Sequence, residues 1–201
     1  MVQKTPSTPR SAAKALARRT AILRAAAGVF RDRGVAATGM REIADAADLS
    51  LGNLYYYFRN KAELLYFCQV EALDRMLRSA AAWERGPLAA ADRLTRVITA
   101  HLEVTLNEVE GAAAHTELHE LPPDLRRRIV ARRDRYERAV RHIVADGVRR
   151  REFRRCDPAL VTRAILGALN WTARWYRPGG TRPVAAIGQG FADYLVGGLR
   201  K

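Results

Sequence analysis

Apolar residues recur along this chain at helical spacing, and short Gly- and Pro-containing breaks cut the pattern into segments. Between about Ala12 and Arg33, the positions Ile22, Ala26, Val29 and Phe30 share one stripe, and Gly34 supplies a left-handed stop behind it. A short helix is predicted over 40–47, with Thr38 as its N-cap and Met40, Ile43 and Ala47 as its buried edge. The tripeptide "DLS" breaks it. Ser50 then caps a third helix over 51–58, whose buried edge is Leu54 and Phe58, shared in part by Tyr57. Three short helices with brief turns predict a trihelical helix-turn-helix module over residues 12–60.

Longer helices are predicted over 61–85, 88–109, 112–120, 123–150, 158–176 and 183–199. The breaks between them fall at "RGP", Gly111, "LPP", "CDP" and "RPGG". The expected fold class is all-α. A small N-terminal module leads through a continuous helix into a larger helical domain over 61–201. Residues 1–11 are expected to form a disordered basic arm, because "TPSTP" resists helix and has nothing to bury.

Composition adds partners to this picture. Lys+Arg 35 against Asp+Glu 21 leaves a formal charge of +14, which favours polyanions without choosing among nucleic acid, anionic membrane and phosphorylated ligands. Cys68 and Cys156 stand in no metal or redox spacing, as suits a reducing cytoplasm. No run approaches the roughly 18 apolar residues of a membrane span, and the basic start lacks a signal-peptide centre. A cytoplasmic protein with no membrane partner is expected.

The stretch "SLGNLYYYFRNK", residues 50–61, carries the chemistry. A helix that reads the major groove needs small or polar residues at its leading end. Here that end is Ser50, Leu51, Gly52 and Asn53. Asn53 matches the donor–acceptor edge of adenine, Leu51 suits a thymine methyl, and Gly52 allows close backbone approach. Tyr55 and Tyr56 fall on the outward side, and Lys61 opens the next helix, where its charge suits a phosphate.

The run "RRTAILRAAAGVFRDRGVAATGMREIADAADLSLGNLYYYFRNKAELL" resembles the DNA-binding domain of the TetR family of bacterial repressors. The resemblance implies phosphate contacts from Thr38, Tyr55 and Lys61, and base-edge or groove contacts from Arg41, Leu51, Gly52, Asn53 and Tyr56. One departure stands out: Asp48 occupies a position where the family usually has glycine, so a left-handed residue is expected there. The basic residues Lys4, Arg10, Lys14, Arg18 and Arg19 are expected to add phosphate or minor-groove contacts, or to form a solubilising tail.

Helix-turn-helix readers usually pair, since one short helix reads few base pairs. Ala164, Gly167, Ala168 and Trp171 give one helix a face of small residues, and Ile187, Phe191, Tyr194 and Leu195 give the last an apolar stripe. Together they predict a four-helix homodimer interface, as the family also implies. "NWTARWYRPGGTRP" is similar to the C-terminal segment of TetR-type repressors of fatty-acid and steroid breakdown, which implies an acyl-CoA thioester as inducer. Residues 124–155 hold 13 Arg against 5 Asp+Glu, so they either bind ligand phosphates or form a solvated, ion-paired face.

Candidate ligand contacts are His101, His115, His119, Asn170, Trp171 and Arg174, with an inter-subunit ion pair as the other reading of Arg174. In "HTELHE", His115 and His119 stand at i and i+4 beside Glu117 and Glu120, a spacing that can hold zinc. No companion acid–base arrangement and no nucleophile or P-loop signature accompanies it, so neither a cofactor, a metal nor an enzyme is expected. The expected function is a ligand-responsive repressor released from a palindromic double-stranded operator. An architectural DNA-binding protein without effector is the rival.

Overall fold

The computed structural model describes residues 9–107, 118–177 and 179–201. Among these, eight α-helices carry the fold: α1 (Pro9–Arg33), α2 (Met40–Ala46), α3 (Leu51–Tyr57), α4 (Lys61–Trp83), α5 (Ala90–Leu102), α6 (Pro123–Arg149), α7 (Pro158–Trp175) and α8 (Val184–Gly197). The helix expected over 88–109 stops as an α-helix at Leu102 and continues as a π-turn over Glu103–Asn107. Of the segment expected as a helix over 112–120, only a 3-10 turn at Leu118–Glu120 lies within the described residues. α1 starts at Pro9, three residues earlier than expected, because proline is well accommodated in a first turn.

The trihelical module closes over Ile22, Ala26, Phe30, Val35, Ile43, Ala44, Leu54 and Phe58, all within 4% of complete burial. Val29 is only half-buried, and Leu23 and Ala27 complete the α1 stripe in its place. Gly34 stops α1 with φ +80, as its position requires. Gly39, not Thr38, caps α2; its N–H donates to the Glu42 carboxylate at 2.7 Å. That bond, with burial opposing it and the Arg33 charge assisting, holds the Glu42 carboxyl below its ordinary value. Ser50 caps α3 as expected, accepting from Asn53 N at 3.2 Å, and Asn60 caps α4 in the same way.

α4 is the spine. Its first two turns belong to the reading module, where Leu64, Leu65 and Cys68 are fully buried, and its second half packs on α5 and α6. Arg132 pairs with Asp74 at 3.2 Å and His142 with Glu84 at 2.5 Å. Both pairs join residues 58 apart, so α4 and α6 run parallel and in step. α5 lies against α4 and α6 and makes its broadest contact with α8.

A buried ion pair fastens the end of this domain farthest from α1–α3. Arg93 of α5, almost fully buried, donates to Asp146 of α6 and to the Glu84 carbonyl at 2.9 Å. Arg149 donates to the same carboxylate, and Arg150 stands 3.7 Å from it. One acidic side chain therefore holds three guanidinium groups.

Candidate nucleic-acid interface and ligand cavity

α3 divides by direction. Leu54 and the C-cap Phe58 are fully buried, Tyr57 is half-buried, and Tyr55 and Tyr56 stand out at 49% and 83% exposure. Ser50, Gly52 and Asn53 at its leading end are exposed, as is Arg41 on α2, while Leu51 is half-buried. An added Cβ at Gly52 would meet nothing within 4 Å, so the chain itself does not demand glycine there. Tyr56 touches the chain edge-on through the Tyr57 ring, 5.2 Å between centroids, and the hydroxyl-bearing faces of the exposed pair are left beside an exposed Asn.

Asp48 sits in the left-handed region at φ 53, and its carbonyl accepts from the Arg18 guanidinium at 3.2 Å. Left-handed backbone strains a side chain that glycine would not carry. Asp48→Gly is therefore expected to raise stability by about 0.5–1 kcal/mol while leaving α3 in place. Thermal melts beside an operator titration check both halves.

Two expected phosphate contacts and two arm residues have partners inside the chain. Thr38 is buried, and its hydroxyl donates to the Gly34 carbonyl at 2.7 Å, which fastens the turn before α2 instead of presenting a side chain outward. Lys61 Nζ donates to the carbonyl of Val35 at 2.7 Å and approaches that of Ala36 at 3.4 Å. An ammonium has three donors, so one is left beyond these two carbonyls. Arg18 holds the Asp48 turn, and the Arg19 guanidinium lies over the rings of Phe58 and Phe67 at 4.8 and 4.0 Å. Lys14 is exposed; Lys4 lies outside the described residues.

In the larger half, a cavity of about 80 Å³ is walled by Leu73 and Met76 of α4, His101 of α5, Arg133 and Tyr136 of α6, and Leu166 and Asn170 of α7. His101 Nδ1 lies 3.1 Å from the Tyr136 hydroxyl. Burial drives the His101 pKa down to about 4, against a small opposing effect of the Asn170 hydrogen bond, so the imidazole is neutral at physiological pH. Burial likewise raises the Tyr136 phenol and lowers Arg133. The site offers neutral hydrogen-bonding groups deep in an apolar shell, with a guanidinium on its wall.

Of the expected ligand contacts, His101 and Asn170 meet here. Trp171 and Arg174 do not: both are exposed, because their positions on α7 turn them away from α5 and α6. His119 is also exposed and stands 3.7 Å from the neighbouring Glu120 carboxylate. His115 and Glu117 lie outside the described residues. Among those described, no three His, Cys, Asp or Glu side chains converge on one point. Tyr136 and Arg133 were hidden within an arginine-rich helix, where only the 3–4 residue spacing to Ile129 and Val140 marked an inward stripe.

A second, open cleft of about 830 Å³ lies between the end of α7, residues 176–177 and 180–182, and α8. Ala168, Phe191, Tyr194 and Leu195 line it, and Trp175 stacks on Phe191 with ring centroids 6.4 Å apart. Ala164, Gly167 and Trp171 are exposed on α7, and Tyr194 is 82% exposed on α8. Ile187 lines the same cleft, though most of its side chain is buried within its own chain, where α8 packs on α5.

The matches to known proteins agree with this division. A family model described as bacterial regulatory proteins, tetR family, matches residues 22–66, and one for the tetracyclin repressor-like C-terminal domain matches 87–199. The chain belongs to the TetR family. It is accordingly a DNA-binding transcriptional regulator and not an enzyme, with most of α4 spanning the stretch between the two matches. The HTH-type transcriptional repressor KstR2 of Mycolicibacterium smegmatis is 29% identical over 202 residues, covering 99% of this chain and 96% of that protein. The structure of the ketosteroid transcriptional regulator KstR2 of Mycobacterium tuberculosis superposes with a TM-score of 0.82 at 27% identity, covering 92% of this chain and 95% of the other. AibR, solved with isovaleryl coenzyme A and operator DNA, does so with a TM-score of 0.78 at 25% identity, covering 91% and 98%. Among the described residues of this TetR-family chain, no helix is long and apolar enough to cross a membrane.

Proposed function

We propose that the protein is a homodimeric, cytoplasmic repressor that leaves a palindromic operator when an acyl-CoA thioester of lipid or steroid catabolism enters its larger half. One observation carries this reading: α4 runs unbroken from Lys61, pinned to the reading module, to Leu73 and Met76 in the cavity wall. A ligand that displaces the wall displaces the helix on which the module rides.

The DNA-facing set is Arg41, Ser50, Leu51, Gly52, Asn53, Tyr55, Tyr56 and Lys61, with Thr38 fastening the turn behind it. Tyr55 and Tyr56 serve phosphates and groove; Asn53 reads a base edge. The apolar cleft and exposed aromatic residues of α7 and α8 form the dimer face through Ala164, Gly167, Ala168, Trp171, Ile187, Phe191, Tyr194 and Leu195. A patch of that kind on a lone chain is best satisfied by a self-complementary copy.

The cavity admits only a few heavy atoms in this state. A ligand that widens it binds a splayed state better than the compact one, and such differential affinity is what shifts a population. The AibR complex with isovaleryl coenzyme A and the ketosteroid regulator KstR2 support the effector class. The test is an operator titration against straight-chain, branched and ring-bearing acyl-CoAs and their free acids. At least one thioester is expected to weaken operator affinity tenfold or more, the lower range of measured couplings. Indifference to every compound would leave the effector-free DNA-binding reading in its place.

A further inference from the structure

The arginines of α6 differ in what holds them. Beyond the first turns Arg132 pairs with Asp74, Arg141 stands near Glu137, and Arg149 and the C-cap Arg150 hold Asp146, while Arg135 and Arg138 are exposed without an ion pair or hydrogen bond among the described residues. In its first turns Arg126, Arg127 and Arg128 are all exposed, and their side chains make no ion pair or hydrogen bond among the described residues. Among the described residues, nothing uses their charge. Asp124 is the one acidic residue on the same turn.

Their place along the helix is informative. Arg126, Ile129 and Arg133 follow one another at spacings of three and four, so they share the stripe that reaches the cavity. Arg127 and Arg128 flank that stripe. At about 1.5 Å per residue, Arg126 lies about 10 Å from Arg133 and about 15 Å from Tyr136. The parallel register with α4 sets Arg126 level with Cys68, between the cavity and the reading module.

We propose that Arg126, Arg127 and Arg128 bind the phosphates of the inducer's nucleotide end while its acyl end occupies the cavity beside His101 and Tyr136. This rests on the acyl-CoA reading above and adds the direction in which the ligand lies. Guanidinium groups take phosphate oxygens bidentately, and the first turn of a long helix adds its own favourable dipole. An extended pantetheine arm is on the scale of the separation between the two ends. The inner end needs no charge: the buried His101 and Tyr136 suit a thioester carbonyl. Ligand phosphates held here sit on the side of the domain nearest the module, where their charge opposes that of the operator backbone.

The experiment compares wild type with the triple variant R126Q/R127Q/R128Q by calorimetry and operator release. Two probes are used: the thioester that releases the operator at the lowest concentration, and the matching acyl-pantetheine, which lacks the nucleotide. In wild type the pantetheine is expected to bind on the order of 100-fold more weakly. In the triple variant the thioester should fall to the pantetheine's level while pantetheine binding stays unchanged. Undiminished thioester binding by the variant overturns this site and leaves the effector class standing. Loss of operator affinity without ligand, with a shallower salt slope, reassigns the arginines to DNA and also overturns it. If no thioester binds wild type, the effector reading fails and the site falls with it.

Discussion

Replacing Asp146 by Asn is expected to lower stability by about 3–5 kcal/mol, the cost of breaking a buried ion pair from one side. For a domain of this size that is a fall in melting temperature of roughly 10 °C. The reason is the asymmetry of the site. Arg93 is almost fully buried and cannot recover water, and Arg149 and Arg150 lose the same partner. The paired replacement Arg93→Met with Asp146→Leu should recover much of the loss, since no charge is then left stranded. A fall below 1 kcal/mol in the single variant would show that this hub does not fasten α5 to α6.

The same carboxylate has a pH signature. Burial pushes its pKa up, but the hydrogen bond and charge of Arg93, then the charges of Arg149 and Arg150, bring it below the ordinary value. A depressed carboxyl contributes stability that is present above its unfolded pKa and is lost as pH falls through the folded one. Wild type should therefore lose this contribution only below about pH 4, and the Asn variant should lack that step. His101 acts in a different window. Its folded pKa of about 4 means that the unfolded state alone takes up a proton below about pH 6.5, so stability declines from there.

The second large effect concerns the operator. Lys61→Ala is expected to weaken binding to all sequences alike and to reduce the salt slope by about 1. Asn53→Ala should leave that slope alone and cost about 1–3 kcal/mol of discrimination at the base pairs it faces. Because Lys61 also holds the Val35 carbonyl, its variant needs a thermal melt beside the titration. A shift in melting temperature with unchanged salt slope would assign it to fastening alone. Identical behaviour of the two variants would mean that α3 meets DNA in another orientation.

Most of the scaffold was legible because its helices obey local rules. Gly34, Ser50 and the prolines at 123 and 158 mark boundaries that backbone chemistry enforces within a turn. The left-handed Asp48 was legible for the same reason. What failed depended on tertiary partners. Thr38 reads as a cap from spacing, yet the packed turn draws its hydroxyl to Gly34 and leaves Gly39 in that place. Arg18 and Arg19 read as part of an arm for DNA or solvent, and spacing did not show their partners: one binds a carbonyl 30 residues away and the other covers two phenylalanine rings.

The larger half shows the same limit. His101 and Asn170 come from different helices, and only the packing of α5 against α6 and α7 brings Tyr136 and Arg133 to them. An arginine-rich helix hides its inward stripe under charge, so composition alone could not separate the paired guanidinium groups from the free ones.

Coupling between ligand and operator through α4 is tested most directly by measuring one thioester's affinity twice, for free protein and for protein saturated with operator. Linkage makes the two factors equal: if ligand weakens DNA tenfold, DNA must weaken ligand tenfold. The expected result is a drop of at least that size in the operator-bound protein, relieved when the operator is mutated. Equal affinities in the two states would contradict the coupling, however tightly the ligand binds.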